Sequence, residues 1–185
     1  GMGTYSDSNH LLPFLSKKDV EEGLEMTKKA ANAIYKETGE YYKGVMYAGC
    51  IATKDGVKLV EYNARFGDPE TMNVMPLMET NFYEVCDAIA NRELHKINLK
   101  FSKKATVCKY VVPKGYPDNP VKNEKIEIGK IPKGARLYYA SVDEKADGLY
   151  MSGSRAIAAL GIADSLEEAE KIAEGATKCV KGKVF

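Results

Sequence analysis

Glu61, Asn63 and Arg65 stand at i, i+2 and i+4 in the segment Val60-Glu61-Tyr62-Asn63-Ala64-Arg65. On an extended strand alternate side chains share a face, so Glu61 and Asn63 point the same way. Their oxygens are hard donors suited to Mg²⁺, an ion that usually keeps waters and substrate phosphates in the rest of its shell. The planar fork of Arg65, two residues on, suits a phosphate. The triplet reads as a plausible corner for a nucleotide triphosphate, although such spacing taken alone is more often a solvated strand edge. The run that follows, Arg65-Phe66-Gly67-Asp68-Pro69-Glu70-Thr71, is dense in turn-forming and charged residues. Gly67 and Pro69 restrict and bend the backbone, and Glu70-Thr71 stands where a helix can start and present N–H groups.

The elements that must position this corner follow from pattern. Residues 1–14 read as loop. Ser16 followed by Asp19 has capping-box spacing, with Asp in place of the usual Glu, and Val20, Leu24, Thr27, Ala31 and Ile34 recur at helical spacing as one stripe expected to be buried. Gly39 sits where a helix C-terminus wants it. Residues 45–53 and 57–63 form a hairpin about Lys54-Asp55-Gly56, which puts the Glu61–Asn63 pair on its return strand. Asn81 and Glu84 open a further helix with Phe82, Val85, Cys86 and Ile89 on one face. Beyond residue 100 short strands are expected at 105–112, 126–131, 136–142, 149–151 and 155–160. A last helix from Ser165, with Glu168 completing its cap, is expected to bury Leu166, Ala169, Ile172, Ala173, Ala176 and Val180. The fold class is therefore α+β, with an antiparallel sheet and helices over residues 1–100 and a small β-rich domain with one helix over 101–185.

Composition narrows the function classes. Lys+Arg 27 against Asp+Glu 26 leaves a formal charge of +1, with no basic surplus for a nucleic-acid backbone and no acidic tail. Apolar runs are too short to span a bilayer, and the start lacks the pattern of a signal peptide. Cys50, Cys86, Cys108 and Cys179 are scattered in apolar stretches, which suits buried packing in a reducing, cytoplasmic setting. His10 and His95 show no ligand spacing and read as loop and solvated residues.

Several motifs, taken together and in order, resemble phosphoribosylamine–glycine ligase, a family of the ATP-grasp superfamily. They are Gly1-Met2-Gly3-Thr4-Tyr5-Ser6, then Gly44-Val45-Met46-Tyr47-Ala48-Gly49, then Asp55-Gly56 and the run from Glu61 to Thr71, then Lys114-Gly115-Tyr116-Pro117 and Ser152-Gly153-Ser154-Arg155. The resemblance covers most of the chain. It implies that residues 1–100 are the C-terminal part of an ATP-grasp domain. It also implies that Glu61 and Asn63 are ligands of Mg²⁺ (or Mn²⁺) and that Arg65 serves near the transferred phosphoryl group. Gly3, Thr4, Gly67, Asp68 and Arg155 are then expected on the substrate side. The implied reaction joins glycine to 5-phosphoribosylamine at the expense of ATP.

Departures from the family pattern bear on these roles. Ser154 stands where the family more often has Gly, and residues 45–53 contain no Asp or Glu to act as a second acidic ligand. The resemblance also begins partway through the ATP-grasp domain, without the part that holds the base and covers the phosphates. By itself the chain is accordingly expected to be inactive or nearly so, its partner being the remaining N-terminal part of the same enzyme. Two alternatives stay open: another ATP-grasp carboxylate–amine ligase, and a non-catalytic substrate-binding fragment.

Overall fold

The computed structural model describes residues 1–185. In chain order it contains β1 (Gly3–Ser6), α1 (Lys17–Thr38), β2 (Tyr47–Thr53), β3 (Gly56–Asn63), α2 (Glu70–Val74), α3 (Phe82–Asn91), β4 (Ala105–Val111) and β5 (Lys125–Ile128). There follow β6 (Ala135–Tyr139), β7 (Val142–Lys145), β8 (Gly148–Met151), β9 (Ile157–Ala163), α4 (Leu166–Thr177) and β10 (Val180–Gly182). Every strand pairing is antiparallel, so the chain is α+β as expected. No helix is long and apolar enough to cross a membrane.

Packing divides the chain into two compact units, and neither is a continuous stretch. Gly1–Leu11, Pro69–Leu77 and Lys103–Phe185 form one; Leu12–Asp68 and Met78–Ser102 form the other. The compositional change near residue 100 lies beside the last crossing, whereas residues 1–11 and 69–77 are drawn into the unit built by 103–185. Pairing of β1 on β4 and packing of Met72 beside Tyr110 draw them there, contacts too distant in sequence for local pattern to register.

The unit of α1, α3 and the β2–β3 hairpin bears out the local signals. Ser16 Oγ accepts the Asp19 N–H, the Asp19 carboxylate accepts the Ser16 N–H at 2.8 Å, and Gly39 ends α1 in the left-handed region at φ 75°. The face of α1 differs from expectation. The helix has no buried residue, and Leu24 in the middle of the expected stripe is 52% exposed. Of the expected stripe Thr27 and Ala31 are half-buried, joined by Gly23, Met26 and Ala30, while Val20, Leu24 and Ile34 are exposed; an added Cβ on Gly23 would lie 4.0 Å from Cys50 Sγ on the hairpin. Small residues let the helix approach closely, so backbone proximity and not side-chain size sets which face turns inward. In α3 the buried residues are Val85 and Ala88, while Cys86 lies on the exposed side. Cys50 is exposed as well, so of the four thiols only Cys108 is fully buried as expected.

The other unit holds two four-stranded sheets, in the orders β1-β4-β9-β6 and β10-β5-β8-β7. The expected strand over 136–142 is two strands, β6 and β7, divided at Ala140-Ser141, and Val180 lies in β10 and not on the last helix. Residue pattern predicts loop where β1 forms, because four residues that include a glycine carry no alternation of their own. Its order comes from β4.

β4 is buried almost throughout because it is covered on both faces. Val107 packs with Ala169 and Ala173 of α4, while Cys108 and Tyr110 pack with Met72. Asn73, 2% exposed, donates from Nδ2 to the Thr106 carbonyl at 3.1 Å, and Thr106 Oγ1 donates to the Asn73 carbonyl at 3.4 Å. Asn73 Oδ1 is buried without a hydrogen-bond partner, a cost of about 1–3 kcal/mol that the reciprocal pair must offset. Lys109 leaves β4 toward α4 and bridges Glu170 and Glu174, the latter at 2.8 Å.

α4 lies on β9 at Gly161. A Cβ there would meet Ala169 O at 2.0 Å and Ala173 N at 2.8 Å, so only hydrogen fits between strand and helix. Gly161→Ala is expected to destabilise this unit by about 2–4 kcal/mol, read as a fall in its urea midpoint, because backbone on both sides must move. Gly23→Ala, whose methyl would meet only Cys50 Sγ at an ordinary contact distance of 4.0 Å, is expected to stabilise by roughly 0.5–1 kcal/mol in the same measurement.

The lysine bridge sets a pH window. The Glu170 and Glu174 carboxylates hold the Lys109 ammonium above its ordinary pKa, and Lys109 holds Glu174 below its own. The glutamate contribution is therefore present above its ordinary value of 4.5 and lost as pH falls through the lower folded value. The lysine contribution is present below 10.5 and lost as pH rises through the higher folded value. With these side chains more than a third exposed on average, Lys109→Met is expected to cost no more than about 1 kcal/mol at neutral pH. Denaturant midpoints of wild type and variant are expected to converge well below pH 4.5.

Candidate active site

The hairpin carries the metal-type pair. Tyr47 pairs with Asn63 and Gly49 with Glu61, and the register shifts between Gly49 and Cys50. Thr53 Oγ1 donates to the Gly56 carbonyl at 2.7 Å, which closes the two-residue turn and fixes the register of the return strand. Glu61 and Asn63 do share a face: Asn63 Nδ2 donates to Glu61 Oε1 at 2.9 Å. Gly49 lies opposite Glu61, and a Cβ there would make ordinary contact with Glu61 Cγ at 3.5 Å. The hydrogen bond uses the amide nitrogen and one carboxylate oxygen, so Asn63 Oδ1 and Glu61 Oε2 form a pair of hard oxygen donors at the exposed end of the strand. That donor set fits Mg²⁺ bound by one or two protein oxygens with phosphates and water completing the shell.

Beyond β3 the chain turns into the loop that carries Arg65. Arg65 Nη1 donates to the carbonyl of Phe66 at 2.7 Å, so the guanidinium is folded over its own loop. Phe66 is braced on Phe82 of α3, with ring centroids 5.9 Å apart. Gly67 is buried and Asp68 exposed, and Pro69 is among the fully buried residues. α2 starts at Glu70, as the residue types suggest, but is only five residues long. Glu61, Asn63, Arg65, Gly67 and Asp68 thus belong to one unit, in continuous sequence.

Gly3, Thr4 and Arg155 belong to the other unit. Gly3 pairs with Lys109 and Thr4 with Cys108. A Cβ on Gly3 would lie 2.6 Å from the Cys108 carbonyl oxygen, so β1 approaches β4 more closely than any side chain allows. Arg155, in the turn before β9, donates from Nη1 to the Gly1 carbonyl at 2.9 Å and places its guanidinium carbon 4.6 Å from the Tyr110 ring centroid. Sequence reasoning missed Tyr110 and the Cys108 carbonyl, which hold this group together. The one signal for them was the unbroken apolar run of β4, and that reports burial, not partners.

A Gly3→Ala variant is expected to push β1 off β4. Faster amide hydrogen exchange over residues 3–6, with exchange across β9 unchanged, is the measurement that checks it.

Comparison with known proteins completes the description. The family model for the phosphoribosylglycinamide synthetase ATP-grasp (A) domain matches residues 1–71, and that for the C domain of the same enzyme matches residues 106–185. A phosphoribosylamine–glycine ligase of Methanocaldococcus jannaschii is 53% identical over 188 aligned residues, spanning 100% of this chain and 42% of that protein. The chain thus spans less than half the length of the curated relatives it matches. Among solved structures, a phosphoribosylamine–glycine ligase from Thermotoga maritima superposes with a TM-score of 0.79 at 24% identity, covering 99% of this chain and 44% of that one. The biotin carboxylase domain of a Hydrogenobacter thermophilus 2-oxoglutarate carboxylase, solved with MgADP and bicarbonate, gives a TM-score of 0.68 at 16% identity, covering 99% of this chain and 39% of that one. At these identities the two structures speak for the ATP-grasp fold alone.

Proposed function

This chain belongs to the phosphoribosylamine–glycine ligase (phosphoribosylglycinamide synthetase) family, and from that premise we propose that it forms the metal-and-phosphate corner and part of the substrate side of an enzyme making glycinamide ribonucleotide. The reaction is proposed for a polypeptide of the relatives' full length, since these residues correspond to 42% of it. Residues 1–100 are read as the C-terminal part of the ATP-grasp domain and 101–185 as the C domain, a division that the matched ranges support. The four thiols, none of them in a disulfide, support a reducing, cytoplasmic setting.

In the proposed sequence ATP phosphorylates the glycine carboxylate, releasing ADP and leaving a glycyl phosphate. The amine of 5-phosphoribosylamine then attacks the glycyl carbonyl and inorganic phosphate leaves. The bond made is C–N and the bond broken is the acyl C–O. Phosphoryl transfer asks little covalent work of the protein; placement and charge neutralisation carry it. Glu61 and Asn63 would hold Mg²⁺ or Mn²⁺, which when bound neutralises the nucleotide phosphates. Arg65, released from the Phe66 carbonyl, reaches toward the transferred phosphoryl group with its remaining N–H donors. Gly67 and Asp68, and separately Gly3 and Thr4, serve the entering amine and glycine.

The observation that carries this reading is the Glu61–Asn63 pair, hydrogen-bonded on one strand face directly before the Arg65–Asp68 loop. In the full-length polypeptide, Glu61→Gln is expected to keep the fold while lowering turnover by roughly a hundredfold or more and weakening Mn²⁺ binding measured calorimetrically. Unchanged metal-dependent turnover in that variant would overturn the metal assignment. ADP release across a panel of carboxylates and amines, highest with glycine and 5-phosphoribosylamine, separates this ligase from others of the same fold.

A further inference from the structure

Arg155 makes two contacts within its own unit. Its Nη1 donates to the Gly1 carbonyl at 2.9 Å, and its guanidinium carbon lies over the Tyr110 ring, 4.6 Å from the centroid. Tyr110 is 8% exposed, and its own N–H donates to the Met2 carbonyl at 2.9 Å. One residue of β4 therefore grips the start of β1 through its backbone and grips the arginine through its ring. The arginine returns to the carbonyl one position upstream, which closes the group. A guanidinium offers several fixed N–H donors beside its contact with a ring, whereas an ammonium meets a ring or a carbonyl as a compact point cation.

The base from which Arg155 reaches is firm. Its carbonyl accepts the Ser141 N–H at 2.9 Å, and the next carbonyl, of Ala156, accepts the Ala140 N–H at 2.9 Å. Gly153 makes that turn possible, since a Cβ there would lie 2.5 Å from Ser141 Oγ. β1 is a four-residue strand paired on one side to β4, and Gly3 adds no side chain to that contact.

We propose that Arg155 is a positioning residue: it pins the Gly1–Met2 end of β1 against Tyr110 and thereby fixes Gly3 and Thr4, instead of meeting a substrate phosphate itself. The pinning stands on interactions within one unit; its catalytic consequence rests on the reading above, that Gly3 and Thr4 face substrate.

The test uses the full-length polypeptide with wild type, Arg155→Met and Arg155→Lys. Peptide-resolved hydrogen exchange over residues 2–6 is expected to quicken about tenfold in Arg155→Met, the scale set by removing one hydrogen bond and one cation–π stack, with β4 and β9 unaffected. Arg155→Lys, which keeps the charge and a donor but reaches the carbonyl and the ring with a single compact ammonium, is expected to fall between. Tyr110→Leu, which removes the ring and leaves the arginine, is expected to reproduce the faster exchange and serves if Arg155→Met does not fold. Wild-type exchange in Arg155→Met combined with a raised KM for 5-phosphoribosylamine would overturn the proposal in favour of direct substrate binding. Faster exchange with unchanged kcat and KM would uphold the pinning and remove Gly3 and Thr4 from the substrate side.

Discussion

The main chain of α4 rests on Gly161 of β9 with no space for a methyl group between them. The other packing of the two-sheet unit is arranged around that approach. β9 lies between β4 and β6, so the height at which α4 sits decides which side chains of β4 can be covered. Ala169, Ala173 and Ala176, all fully buried, keep the helix low. At that height Val107 meets α4 directly and Lys109 can span to Glu170 and Glu174. The opposite face of β4 is then left to Met72 and Asn73, while β1 pairs along its edge, and both bring distant segments of the chain to the same strand.

How much of this can be read from residue types depends on the range over which each interaction acts. The cap at Ser16, the glycine at 39, the turn at Lys54-Asp55 and the shared face of Glu61 and Asn63 involve residues at most four apart, and all are legible. β1 and β10 are not, because each is three or four residues whose order comes wholly from a partner strand. The face of α1 departs from pattern for a different reason: apolar periodicity ranks large side chains, while the hairpin selects the small ones that allow close approach. Cys86 departs similarly, lying one position off the face that Val85 and Ala88 bury.

The candidate site divides along the same line. Glu61, Asn63 and Arg65 are set by strand alternation and by a loop braced within its own unit, so their chemistry is written locally. Gly3 and Thr4 pair with Lys109 and Cys108, more than about 100 positions away, and single-sequence reading has no access to that dependence. Motif order supplies what periodicity lacks, because a family resemblance stores long-range placement that local physics does not.

The discontinuity of the two units has a temporal side. A ribosome delivers the chain in order, and all of Leu12–Asp68 and Met78–Ser102 has been made before β4 begins. The hairpin and its helices can settle at that stage, while β1, synthesised roughly a hundred residues ahead of its partner, waits unpaired. The two-sheet unit closes only when Gly161 and then α4 emerge, and β10 is last to join. Residues 3–6 thus have no partner of their own unit to pair with until β4 has been made.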